Sequence, residues 1–456
     1  MAKIIIVLVA AYFSFQIFKN KGNYKSLLWV IVGMMLLHKD LIVTENPLSM
    51  PITRWLIYSI LFTQILYNKH FIRDFRTFPL TKSLLVFLAC SFIIAIFDSR
   101  LSFFDKFYIP FYTVCETCFL LFVGYLAIRT PQDINKMSTP LLVAIIVVTF
   151  YAIFQYLTRY NPYHTWVMNN FFAGGEAEYI SKMRVLDIGD ARTRMNSTFS
   201  TLFQYGFFSS MLALLFLFFY TSKRTYKWMS LIGFICGVIG VVLCASRSVM
   251  LSFMIALSIF VSRGLNIKKF FQYALILGSL GLFAYWMSPE LQESVDVSLD
   301  VFQGGTKVPG SSMAMRESQF SGAYYYMQKS PIIGNGYKYI YNELGWGDRD
   351  RGGLDKEMYG FESIVYELMI EQGIIGLFST FFILSMLLIY FMKKRKINKS
   401  LAELGFAMTL FFVMFAVATG PLGNWPITML LLGSIIKTLV LLERTEQNAQ
   451  QLRKVI

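Results

Sequence analysis

Charge, cysteine and histidine are all scarce in this sequence. Asp, Glu, Lys and Arg together make up 15% of 456 residues, against about 25% in soluble domains. That excludes a water-soluble globular enzyme and a disordered chain. Five cysteines, of which only Cys115 and Cys118 are closely spaced, do not read as a disulfide framework or a zinc site. Cys115 and Cys118 fall inside an apolar run and read as buried thiols. With three histidines, a His-based metal centre has too few ligands. There is no Gly-Lys-Ser/Thr phosphate loop, which argues against an ATP-driven machine. Internal repeats and low-complexity tracts are missing too.

What fills the chain is apolar. Hydrophobic residues reach 56%, with 44 Phe, 26 Tyr and 23 Met, and the mean hydropathy is +0.54. The expected fold class is an all-α polytopic membrane protein with the lipid bilayer as its solvent. Runs able to cross, or nearly cross, a hydrocarbon layer of about 30 Å fall at 2–18, 26–37, 54–68, 83–97, 107–128, 140–157, 199–221, 228–244, 248–262, 270–287, 363–392, 402–419 and 425–442. Together they predict roughly 12–14 transmembrane helices. The first run lacks a cleavage site and reads as a retained span. The run 363–392 is long enough to tilt or to begin outside the membrane.

The formal net charge of +15 is not read as a sign of nucleic acid, because basic residues gather in cytoplasmic loops. One set of alternate loops is rich in them: Lys19, Lys21 and Lys25; Lys69, Arg73, Arg76 and Lys82; Arg129 and Lys136; Lys223, Arg224 and Lys227; Arg263, Lys268 and Lys269; Lys393 to Lys399. The other set holds few. This predicts the N-terminus outside and the C-terminus in the cytoplasm. Five segments follow: N-terminal helices (1–157), a first long outer loop (158–198), central helices (199–287), a second long outer loop (288–362), and C-terminal helices with a cytoplasmic tail (363–456). Long ordered loops are usually functional.

Charges at membrane depth are costly and point to function. Arg247, in Ala245-Ser246-Arg247-Ser248, separates two apolar runs; it reads as an anion site or as a snorkelling interfacial residue, with Ser246 and Ser248 adding hydroxyl donors. Arg192 and Arg194 in the first outer loop and Arg316 in the second are further cations able to fork onto phosphate oxygens. Glu116 and Lys437 lie inside spans; they read as a buried pair that fixes packing or as part of a proton or substrate path. Asp348-Arg349-Asp350 is not read as a metal motif, because its arginine opposes a divalent ion. His164 is expected as a surface or packing residue, and Tyr324, Tyr325 and Tyr326 as packing.

Three segments resemble the O-antigen polymerase and O-antigen ligase superfamily. Arg316 followed by Ser330-Pro331-Ile332-Ile333-Gly334-Asn335-Gly336-Tyr337 is similar to that family's arginine-bearing helix and Pro-x-x-Gly-x-Gly turn. The stretch from Phe361-Glu362-Ser363 to Glu371-Gln372-Gly373-Ile374-Ile375-Gly376 resembles the helix that follows, and Ser246-Arg247-Ser248 resembles its Ser-Arg signature. The likeness covers about residues 190–390. Ligases carry a His where Glu362 stands here, which favours a polymerase, and the family's element after Thr198-Phe199 is absent.

The resemblance implies a GT-C-like glycosyltransferase in a bacterial inner membrane, acting on its outer face. Donor and acceptor would be undecaprenyl-pyrophosphate-linked oligosaccharide repeat units, polymerised into O-antigen, capsule or exopolysaccharide. Arg247 and Arg316 would stabilise the departing pyrophosphate, which removes the need for a metal or other cofactor. Glu362 would act as general base. Arg194, Arg192, Ser246, Ser248, Tyr337, Trp346 and Arg351 would contact substrate, with Tyr341, Tyr359 and Asn342 as further sugar contacts. A chain-length regulator protein is a partner such an enzyme could have; nucleic acid is not. The alternatives are an O-antigen ligase using lipid A core as acceptor, and a flippase for lipid-linked oligosaccharide.

Overall fold

The computed structural model describes residues 2–44, 50–171, 194–222, 227–264, 313–344 and 363–455. In chain order its elements are α1 (Ala2–Lys19), α2 (Tyr24–Leu36), β1 (Ile42–Thr44), β2 (Met50–Pro51), α3 (Ile52–Tyr67), α4 (Phe71–Thr77), α5 (Thr81–Phe97), α6 (Phe103–Glu116), α7 (Leu120–Ala127), α8 (Asp133–Lys136), α9 (Ser138–Thr158) and α10 (Pro162–Phe171). They continue with α11 (Leu202–Thr221), α12 (Lys227–Leu243), α13 (Arg247–Gly264), α14 (Met313–Lys329), α15 (Tyr339–Asn342), α16 (Ile364–Glu371), α17 (Gly373–Lys394), α18 (Lys399–Thr419) and α19 (Trp425–Val455). The two short strands pair antiparallel.

Six helical stretches are long and apolar enough to cross a membrane: Ala2–Lys19, Asp133–Thr158, Leu202–Thr221, Gly373–Lys394, Lys399–Thr419 and Trp425–Gln451. Counting each of two bent pairs as one span gives up to 8. The chain therefore has the make-up of a multi-pass membrane protein. The span predicted at 270–287 lies outside the described residues. The apolar helices α2 and α12 are too short to meet the same test.

Polar side chains set several helix starts. Asn23, Ser102, Thr201, Ser363 and Asn398 each accept a backbone N–H from the first turn that follows, satisfying a donor the helix itself cannot. Two predicted runs divide. The run 107–128 becomes α6 and α7, bent by 44° at Thr117, whose backbone leaves the helical region. The run 363–392 breaks at Gln372, where Gly373 has φ +59°, so α16 stands apart from the membrane-spanning α17.

The core is built around α11. Its phenylalanines stack onto α18, with Phe207 at 4.9 Å from both Phe411 and Phe415. Along α12, Gly233 and Gly237 let the backbone come close to Phe216 and Ala213 of α11. Between spans there is no hydrophobic driving force, since lipid tails are as apolar as leucine; close contact of small residues supplies the dispersion energy instead. The crossing of α7 and α19 is the tightest case. A Cβ on Gly124 would overlap the Leu430 carbonyl, and one on Gly433 the Leu121 carbonyl.

Candidate functional site at one end of the bundle

Several loops meet at one end. Met195 N–H donates to the Leu243 carbonyl at 3.0 Å, fastening the segment before α11 to the end of α12. Thr198 donates to the Met35 carbonyl, and Gln204 Nε2 to Leu422 O at 2.8 Å. At the opposite end are ion pairs among basic residues, Lys394–Glu443 at 2.6 Å and Arg395–Glu403, and Arg129 donating to Lys21 O at 2.9 Å.

The Ser-Arg-Ser segment is the sharp joint between α12 and α13. Ala245 takes φ +47°, which lets the chain reverse and start α13 at Arg247. Ser246 is buried and its Oγ lies 3.1 Å from Ser248 Oγ. Thr419 Oγ1, at the end of α18, donates to Ser248 Oγ at 2.6 Å. Arg316 of α14 reaches the neighbouring residue, both Nη atoms donating to the Ala418 carbonyl at 3.2 and 3.3 Å. A guanidinium suits a helix C-terminus, where carbonyls are left without intrahelical partners. So two segments well apart in sequence converge on adjacent residues of one helix end. Arg194 is brought close by the Met195–Leu243 bond, and its charge acts on Cys244, two residues before Ser246. Its Nε is buried and has no hydrogen-bond partner among the described residues. The same holds for both side-chain polar atoms of Asn424, fully buried in the turn after α18.

The two glycine motifs form a single joint. Ile374 and Ile375 N–H donate to the carbonyls of Pro331 and Ile332, each at 3.0 Å, and Gly336 N–H to Glu371 O at 2.9 Å. Gly334 and Gly336 have φ +71° and +95°, conformations that exclude most side chains. The Pro-x-x-Gly-x-Gly turn thus docks on the break between α16 and α17. Asp98 and Arg100, paired at 2.8 Å, hold the turn from below, Arg100 donating to Tyr337 O at 3.3 Å. Tyr337 itself is buried, its hydroxyl donating to Ser91 O at 3.2 Å.

Glu371 accepts the Ile340 N–H at 3.1 Å. Burial, then the nearby Glu367, push its carboxyl up to about 8; burial also raises Glu367. Among the described residues no three His, Cys, Asp or Glu side chains gather as a metal site would need.

No family model matches the chain, and no curated protein matches it either.

Arg192, Trp346, Arg351, Tyr359, Glu362 and Asp348 to Asp350 lie outside the described residues. Tyr341 is exposed. One expectation is corrected by the geometry. Glu116 does not pair with Lys437: it pairs with Arg54, while Lys437 Nζ lies over the Tyr125 ring at 4.2 Å from its centroid. Of the two readings of His164, packing is the one found: it is buried, and its Nδ1 is 3.0 Å from Nε2 of buried His38. The sequence flagged Glu116 and Lys437 as charges in apolar runs, but not their partners; Arg54 reads as an ordinary loop cation.

Proposed function

We propose that this chain is a glycosyltransferase that polymerises lipid-linked oligosaccharide repeat units at the outer face of a bacterial inner membrane. The observation that carries the reading is the convergence of the Ser246-Arg247-Ser248 joint and Arg316 on Ala418 and Thr419, with Arg194 alongside. Three guanidinium groups at one end of an apolar bundle suit an anion held at the membrane surface, and a diphosphate linking lipid to sugar is such an anion. The start of α13 adds backbone N–H groups and the positive end of a helix dipole. Arg194 Nε and the Asn424 amide are buried donors that a bound oxyanion would satisfy. The outward orientation follows from the alternation of basic loops.

In the proposed reaction the acceptor's hydroxyl oxygen attacks the donor's C1. The bond from C1 to the pyrophosphate oxygen breaks, and lipid pyrophosphate departs with the electron pair. Arg247 and Arg316 stabilise the charge that develops there, an effect often worth about 3 kcal/mol per donor. Glu362, directly before the α16 cap Ser363, takes the hydroxyl proton. Attack in line with the leaving group inverts the anomeric centre.

The test is direct. Purified protein in lipid nanodiscs is incubated with lipid-linked repeat units and the products are run on a gel. A ladder of glycans that disappears with Arg316→Ala supports the reading. Unchanged single units with the wild-type protein would defeat it.

A further inference from the structure

A second polar cluster lies apart from the arginine joint, between α3 and α6. Arg54 pairs with Glu116 through both its Nε and its Nη2, the latter 3.2 Å from Oε2. Tyr58 OH donates to Glu116 Oε1 at 3.2 Å. The Arg54 guanidinium stands over the Tyr112 ring, 5.1 Å from its centroid. Tyr108 packs against Tyr112 at 5.2 Å. Lys338 approaches the Tyr112 ring too, at 6.0 Å, and its charge acts on Glu116.

Three features set the cluster apart from a packing device. An ion pair drawn out of water is seldom better for stability than apolar side chains of the same shape, yet this one ties the first turn of α3 to the last residue of α6. The pair is not sealed: the Arg54 and Glu116 side chains keep 25% and 20% exposure, so they can be reached from outside the bundle. Glu116 is also the last residue of α6, where the span breaks and bends. Interrupted spans at polar residues are where membrane proteins place substrate sites.

The chemistry selects the occupant. A carboxylate and a guanidinium side by side offer acceptors and donors together, as ring hydroxyls need. Tyrosine faces offer flat apolar surface for the carbon face of a pyranose, with polar tips at the edge. With Arg54 and Lys338 against Glu116, the cluster carries one excess positive charge, so an acidic sugar is also accommodated. Lys338 follows the glycine turn on the same segment that begins with Arg316, so one stretch of chain serves both clusters.

We infer that Arg54, Tyr58, Tyr112, Glu116 and Lys338 form a subsite for a sugar unit, separate from the arginines that hold the diphosphate. The inference rests on the reading of the chain as a handler of lipid-linked glycan, and assigns the glycan's sugar portion a place. Tyr112 and the ion pair bind sugar here; they take no part in bond making.

The experiment uses full-length protein in nanodiscs and two probes. One is the phosphate-free, lipid-free oligosaccharide released by mild acid from the host's own lipid-linked pool; the other is inorganic pyrophosphate. The oligosaccharide should bind wild-type protein and bind Tyr112→Leu about tenfold more weakly, with pyrophosphate binding unchanged. Lys338→Gln, at an exposed side chain that cannot unfold the bundle, should weaken the oligosaccharide several-fold. Wild-type affinity in both variants, or no oligosaccharide binding to the wild type, overturns the subsite. A missing glycan ladder with sugar binding intact and sensitive to Tyr112 would defeat the polymerase reading alone.

Discussion

Gly336 rests its Cα directly on the carboxylate of Asp98. A Cβ built on Gly336 would overlap Asp98 Oδ2, with Arg100 Nη2 just behind. Asp98 is buried and held by Arg100, so it cannot swing away without losing that pair. Gly336→Ala therefore meets a clash as well as an unfavourable φ. The expected loss is about 2–4 kcal/mol, read as a lower melting midpoint in detergent. Gly420→Ala is the control: φ is +85° with nothing within 4 Å, so only the backbone term of about 1 kcal/mol applies.

Arg316→Lys should cut glycan polymerisation at least about tenfold while leaving the melting midpoint near the wild-type value. A point charge cannot reproduce a fork that grips a helix-end carbonyl and an anion together. Arg247→Lys should behave alike. Near-normal rates in both variants would assign these arginines to packing.

Stability should fall as pH rises from about 4.5 to about 8 and level off above that. Burial and Glu367 raise the Glu371 carboxyl to about 8, above its value in the unfolded chain. The neutral form is the one the fold accommodates. Its contribution is therefore complete below about pH 4.5 and is lost as pH climbs through about 8, on the order of a few kcal/mol in all. Glu371→Gln keeps an acceptor for the Ile340 N–H and should flatten this slope. Melting curves from pH 5 to 9 measure it.

His38→Ala should lower stability by about 1–3 kcal/mol, because it deletes the hydrogen bond to His164 Nδ1 in a buried setting. His38→Gln, which can still bond, should recover part of the loss. Thermal midpoints of the two variants compare them directly.

EDTA should leave polymerisation unchanged, since arginine carries the charge in the proposed reaction. Loss of activity restored by magnesium would assign that charge to a metal.

Much of the helical layout was legible in the sequence, because apolar length and helix formation coincide at 202–221 and 399–419. The break after Glu116 was not: a run of apolar residues looks the same whether the helix bends at Thr117 or not. Arg247 and Arg316 stood out as charges where desolvation is costly, yet their meeting at Ala418 and Thr419 is a tertiary fact without a local signal. The glycine turn at 331–336 and the Glu-x-Gly break at 371–373 were both readable as motifs. That one docks on the other depends on backbone bonds across some forty residues. Glu116 was matched with the wrong cation because charge type, unlike periodicity, does not say which helix is adjacent.

The last helix offers a practical handle. α19 runs unbroken for 31 residues, which at 1.5 Å each is roughly 46 Å, some 15 Å more than a hydrocarbon layer requires. Its residues from Arg444 to Gln451 are all exposed. A fluorescent or enzymatic tag joined there would ride on a stiff post clear of the lipid, on the side opposite the arginine joint. Its accessibility to an impermeant reagent in intact cells would report sidedness without disturbing either polar cluster.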